Sequence, residues 1–153
     1  MPDTEKNIHA SCIAIGAKGV LLMGPSGAGK SDLALRLIDN GAQLVADDRT
    51  ILFIDKGALW ARPPATIRGL IEIRGVGIVK MPVRARVKIA LVVKLGKESE
   101  RLPVHRSWKA PLKGAAQAPQ ITLNAHYAST PAKIRAALEA FSKALFIDTF
   151  NPK

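Results

Sequence analysis

Along this chain the apolar residues fall first into short blocks and only later into a helical rhythm. Residues 8–15, I-H-A-S-C-I-A-I, predict a strand, and Gly16-Ala17-Lys18-Gly19 predicts the turn after it. Gly19-Val-Leu-Leu-Met23 is wholly apolar, the pattern of a buried strand. From Ser31 to Asn40 the period changes. Leu33, Ala34, Leu37 and Ile38 share one helical face, Asp32, Arg36 and Asp39 take the other, and Gly41 suits the left-handed residue that ends a helix. Gln43–Ala46 predicts another strand, and Thr50–Ile54 with Ala58–Ala61 predicts a hairpin turning at Asp55-Lys56-Gly57.

Further on, residues 70–79 are β-rich with glycine breaks, and Val87–Lys94 is the longest strand candidate. Residues 96–118 lack periodicity and predict a long loop. A closing helix is expected with Thr130 as its N-cap, Pro131 in the first turn, and Ile134, Leu138, Phe141 and Leu145 on one face. The unit from Gly19 to Asp48 thus reads strand, glycine loop, helix, strand. If its two strands share a sheet, they run parallel.

Composition narrows the class. A length of 153 residues predicts one domain over residues 1–153, and 48% hydrophobic content supports a packed core. A single cysteine, Cys12, rules out an internal disulfide. There is no secretory signal and no run long enough for a membrane span, so a cytoplasmic protein with no membrane partner is expected. The 23 Lys and Arg against 12 Asp and Glu leave a net charge of +11, which favours contact with something negative: nucleic acid, a nucleotide phosphate or an acidic protein.

The chemistry centres on Gly24, Pro25, Ser26, Gly27, Ala28, Gly29, Lys30 and Ser31, which fit G-x-x-x-x-G-K-[ST]. Glycines let the backbone bend until successive N–H groups form an anion cradle. Lys30 is placed to reach β- and γ-phosphates and Ser31 to ligate Mg²⁺, while the helix that follows turns its positive end to the phosphates. The expected cofactors are ATP and Mg²⁺.

Asp47 and Asp48 follow the next strand directly, at the carboxyl edge where open α/β sheets bind ligands. One carboxylate there can hold Mg²⁺ and another can accept the proton of an attacking hydroxyl. The residues alone do not say which does which.

His9, GPSGAGKS at 24–31, LVADD at 44–48 and I-E-I-R-G-V-G-I-V at 71–79 together resemble HPr kinase/phosphorylase, with Glu72, Ile73, Arg74, Gly75 and Gly77 in the family's own signature. Lys88–Val93 followed by Glu100-Arg101-Leu102 resembles the family's strand and its arginine. The resemblance covers about residues 8–104. It implies an α/β, P-loop-containing, phosphoenolpyruvate carboxykinase-like catalytic domain with a central mixed β-sheet and flanking helices. It also implies an ATP-dependent protein serine kinase acting on HPr, the phosphocarrier of the sugar phosphotransferase system, and assembly as a homo-oligomer, commonly a hexamer.

By the same resemblance His9 is the active-site histidine, Lys30 and Ser31 contact phosphate and Mg²⁺, and Asp48, with or without Asp47, takes the serine proton. Glu72 is then a second Mg²⁺ ligand, and Arg101 stabilises the transferring group. The family's N-terminal domain has no counterpart in this sequence. Its P-V-R-P-G-R-N segment, tied to dephosphorylation, finds only Ala118–Asn124, without an arginine. The kinase direction is therefore expected, and the phosphorylase direction is left open. Two rivals compete with this reading. A small-molecule P-loop kinase or a carboxykinase-like phosphotransferase would need a substrate pocket and a lid, for which residues 96–118 are the only candidate. A nucleic-acid-binding module would need aromatics among its basic residues, and the sequence lacks them.

Overall fold

The computed structural model describes residues 4–98, 100–114 and 116–147. In chain order the elements are β1 (Glu5–Ile8), β2 (Ala10–Ile15), β3 (Lys18–Met23), α1 (Lys30–Asp39), β4 (Gln43–Ala46), β5 (Thr50–Asp55) and β6 (Ala58–Arg62). There follow β7 (Leu70–Ile73), β8 (Gly77–Lys80), β9 (Val87–Leu95), β10 (Arg106–Lys109), β11 (Gln117–Leu123) and α2 (Thr130–Lys143).

The main sheet runs β1-β5-β6-β9-β3-β2-β4, with β11 also paired to β9 and β10 to β11, while β7 and β8 form a separate hairpin. Strands β3 and β11 both pair in parallel with β9. Strand β2 is antiparallel to β3 and to β4, so β3 and β4 point the same way with β2 between them. The strand–helix–strand unit is therefore the parallel crossover that the sequence predicts, and the sheet is mixed. Four strands consequently bring their carboxyl ends to one edge: β3, β4, β9 and β11. Because β2 is antiparallel, its amino end, at Ala10 and Ser11, lies at that same edge.

Two apolar layers hold this frame. On one face, Ile13, Val20, Leu22, Leu91 and Val93 pack against Leu33 and Leu37 of α1 and Ile134 and Leu138 of α2. On the other, Cys12, Leu21, Val45 and Val92 pack against Leu52, Leu59 and Ala61 of the β5–β6 hairpin. That hairpin turns through Lys56 and Gly57, both at positive φ, the geometry that matches strand twist. Arg135 of α2 donates to the carbonyl of Asn40 at 2.9 Å, satisfying the end of α1 and fixing the two helices together.

Four expectations need correction. The predicted strand over 8–15 is two strands with a bend at His9, because β1 pairs with β5 whereas β2 pairs with β3 and β4. Residues 96–118 are not one loop, since they contain β10 and the start of β11. Helix α2 ends at Lys143, where Ala144 turns left-handed, so Leu145 leaves the helical face and is exposed. Thr130 lies inside α2 with Ser129 at the cap position, and its hydroxyl donates to the carbonyl of Asn124. Among the described residues no helix is long and apolar enough to cross a membrane.

Candidate active site

At the shared edge lies a cleft of about 690 Å³, lined by Ser26, Gly27, Gly29, Lys30 and Ser31 of the glycine loop, by Asp47 and Asp48, and by Glu72, Ile73 and Arg74 of the β7–β8 hairpin. The loop leaves β3 at Gly24 and returns as α1. Ala28 N–H bonds to the Pro25 carbonyl at 3.0 Å, and Gly29 adopts φ 99°, a conformation that favours glycine. A Cβ at Gly29 would also come within 3.2 Å of Ala125 and His126. Lys30 is 5% exposed, and its ammonium donates to the carbonyls of Gly24 at 2.8 Å and Pro25 at 3.1 Å. The first turn of α1 thus faces the cleft with its free N–H groups, the arrangement that suits phosphate.

The two adjacent aspartates are in contrasting settings. Asp47 is 7% exposed and accepts three hydrogen bonds. Its Oδ1 accepts from Ser31 Oγ at 2.6 Å and Ser11 Oγ at 3.1 Å, and its Oδ2 accepts from the Glu72 N–H at 3.1 Å. It therefore links the P-loop, β2 and β7. Asp48 has a side chain that is 61% exposed, and its Oδ1 accepts from His9 Nε2 at 2.7 Å. Its backbone sits at φ 69°, in the left-handed region, and its N–H donates to Ser11 Oγ at 2.9 Å. Reversing the chain there turns one carboxylate inward and the next outward.

The bend that splits β1 from β2 puts His9 over this edge. Ile71, fully buried, anchors β7 in the core, so that Glu72, next in the alternation, is turned outward into the cleft. Arg101 is not brought here. Its exposed side chain lines a separate cavity of about 250 Å³ with Glu100, His105 and Arg106.

Two residues of this region escape the sequence reading. His126 follows the carboxyl end of β11 and lines the cleft, held by a bond from its N–H to Asn124 Oδ1 at 2.8 Å. Ser11 is fully buried beneath the aspartates, and the one signal for it was a hydroxyl inside an otherwise apolar strand.

The donor set suits Mg²⁺ with a nucleotide. Ser31 Oγ, Asp47 and Glu72 offer oxygen atoms beside an anion cradle. Among the described residues no three His, Cys, Asp or Glu side chains group to hold a metal by themselves.

Comparison with known proteins bears on the family of the chain. The family model described as "HPr Serine kinase C-terminal domain" matches residues 3–118. The HPr kinase/phosphorylase of Streptococcus thermophilus (strain ATCC BAA-491 / LMD-9) is 46% identical over 74 residues, covering 48% of this chain and 24% of that protein. The enzyme of the same name from Streptococcus mutans is 45% identical over 76 residues, 49% of this chain and 24% of the relative. The chain thus matches about 24% of the length of these curated relatives. Among solved structures, the Hpr(Ser) kinase/phosphatase from Coxiella burnetii superposes with a TM-score of 0.77 at 27% identity, over 92% of this chain and 98% of that one.

Proposed function

Because the chain belongs to the HPr serine kinase C-terminal domain family, we propose that it transfers the γ-phosphoryl group of ATP to a serine of an HPr-type phosphocarrier protein. The observation that carries this reading is the convergence of an anion-binding glycine loop, an inward Asp47 and an outward, histidine-paired Asp48 on one open cleft.

The reading divides the work between the aspartates. Asp47, with Ser31 and Glu72, holds Mg²⁺, which when bound neutralises charge on the β- and γ-phosphates. Asp48 is the base. Its carboxylate accepts the proton of the serine hydroxyl as the serine oxygen bonds to the γ-phosphorus and the bond to the bridging oxygen breaks, releasing ADP. His9 steadies Asp48 Oδ1 and leaves the other carboxylate oxygen to face the acceptor. Lys30 moves from the carbonyls of Gly24 and Pro25 to the β- and γ-phosphates. Arg101 stabilises the transferring group, a role that calls for its loop to approach the P-loop in the reacting complex. An open cleft suits a serine presented on a protein, and the surplus of positive charge suits an acidic partner. The chain works as one catalytic domain in the cytoplasm, within a homo-oligomer of the family's kind. The proposal is of the forward direction, for where the family carries the arginine-bearing segment tied to the reverse, phosphorylase reaction this chain has Ala118–Asn124, without an arginine.

Labelled ATP, Mg²⁺ and purified HPr test the proposal, run beside Lys30→Ala and Asp48→Asn. Label is expected on a serine of HPr with the wild type and on none with either variant. ATP binding without label on HPr would overturn the assignment of substrate.

A further inference from the structure

We infer that Ser11 is a positioning residue that locks the two aspartates into one frame, an inference that rests on the roles just proposed for them. Its hydroxyl has both of its capacities in use. It donates to Asp47 Oδ1 at 3.1 Å and accepts the Asp48 N–H at 2.9 Å. The side chain is fully buried, so water does not substitute for either partner.

The topology explains why this position has such reach. β2 lies between β3 and β4 and is antiparallel to both, with Ser11 opposite Leu22 and its neighbour Cys12 opposite Ala46, the last residue before the aspartates. Along β2, Ala10, Cys12 and Ala14 enter the layer beneath the β5–β6 hairpin, while Ile13 enters the helix-side layer. Alternation therefore turns Ser11 to the helix side, where the P-loop and Asp47 meet.

Ser31, the Glu72 N–H and His9 hold the two carboxylates separately, and none of them touches both aspartates. Asp47 is fixed through its side chain, and Asp48 is fixed through its backbone in the left-handed region, which aspartate enters more readily than most residues with a Cβ. One hydroxyl joins these two constraints. Placing the proton acceptor relative to the bound phosphates is what such a joint achieves, and misplacement by an ångström costs rate far more than affinity.

The test compares wild type, Ser11→Ala and Ser11→Cys, the last keeping similar volume with a weaker donor and acceptor. Two readouts are taken: steady-state transfer to HPr, and hydrogen exchange of the Asp48 amide by NMR. Ser11→Ala is expected to lower kcat about 10- to 100-fold with KM for ATP and for HPr within about threefold. Asp48 amide exchange should quicken at least about tenfold, beyond any change in strand amides of β3 and β9. Ser11→Cys should lie between the two, and it carries the test should Ser11→Ala not fold. A kcat within about threefold of wild type in the folded variants would overturn the inference, as would unchanged exchange at Asp48. A wild type that transfers nothing to HPr sinks the kinase reading alone. The Asp48 exchange then decides the positioning role by itself.

Discussion

Replacing Asp48 by glycine and by alanine separates backbone strain from chemistry at the proposed base. Position 48 sits at φ 69°. A residue with a Cβ is disfavoured in the left-handed region by about 1–2 kcal/mol, and glycine is not. Against this, glycine loses more backbone freedom on folding, a disadvantage of about 0.5–1 kcal/mol relative to alanine at ordinary positions. Both variants lose the contact with His9, an exposed pair that contributes about 0–1 kcal/mol, so that loss cancels in the comparison. Both keep the amide that bonds to Ser11 Oγ. The difference left over favours Asp48→Gly by about 1 kcal/mol, or about 2–4 °C in Tm for a chain of this size. Thermal melts of the two variants under identical conditions read it directly. Neither variant should transfer phosphate to HPr. An Asp48→Ala protein that melts at or above Asp48→Gly would refute the view that this turn stores strain.

Two further outcomes follow from the packing. A Cβ at Gly19 would stand 2.6 Å from Val87 Cγ1 and 2.9 Å from the Lys88 carbonyl oxygen, so Gly19→Ala should lower stability by about 1–3 kcal/mol in urea unfolding. Adding Val87→Ala should recover only part of that loss, because the backbone contact remains. Glu98 accepts the Asn124 N–H at 2.8 Å and pairs with Lys133 at 2.9 Å. Burial pushes its carboxyl up, but those two partners prevail and hold it below its ordinary value. A depressed native pKa gives stability that is complete above the ordinary value and lost as pH falls through the native one. Glu98→Gln should therefore flatten the acid limb of a stability–pH curve and leave the neutral region's pH dependence unchanged.

The P-loop and its helix were legible because local chemistry dictates them. Glycines at fixed spacing, a lysine and a hydroxyl follow an apolar strand, and no distant contact is needed to read that pattern. The β5–β6 hairpin was legible for a similar reason, since Lys56-Gly57 is a turn signal in itself. What escaped depends on pairing across the fold. Arg106–Lys109 becomes β10 only because β11 lies beside it, and β11 itself carries Pro119, a residue that argues against a strand. Pro119 is tolerated there because pairing with β9 begins only at Gln120, so the β9 ladder does not call on its missing N–H. The bend at His9 reflects a change of partner strands, which the uniform apolar run conceals. Ala144 ends α2 left-handed without the glycine that would have marked it, so the periodicity carried on to Leu145. The adjacent aspartates were visible as a pair, but their opposite orientations come from Ser11, Ser31 and the β7 backbone, none of them near in sequence.

The division of labour between the aspartates is tested most directly by pairing ATP affinity, with and without Mg²⁺, with single-turnover transfer to HPr for Asp47→Asn and Asp48→Asn. Asp48→Asn should bind ATP with the wild-type response to Mg²⁺ and transfer nothing within the time of many wild-type turnovers. Asp47→Asn should lose the response to Mg²⁺. Transfer by Asp48→Asn at the wild-type rate, or loss of the Mg²⁺ response in that variant alone, would contradict it.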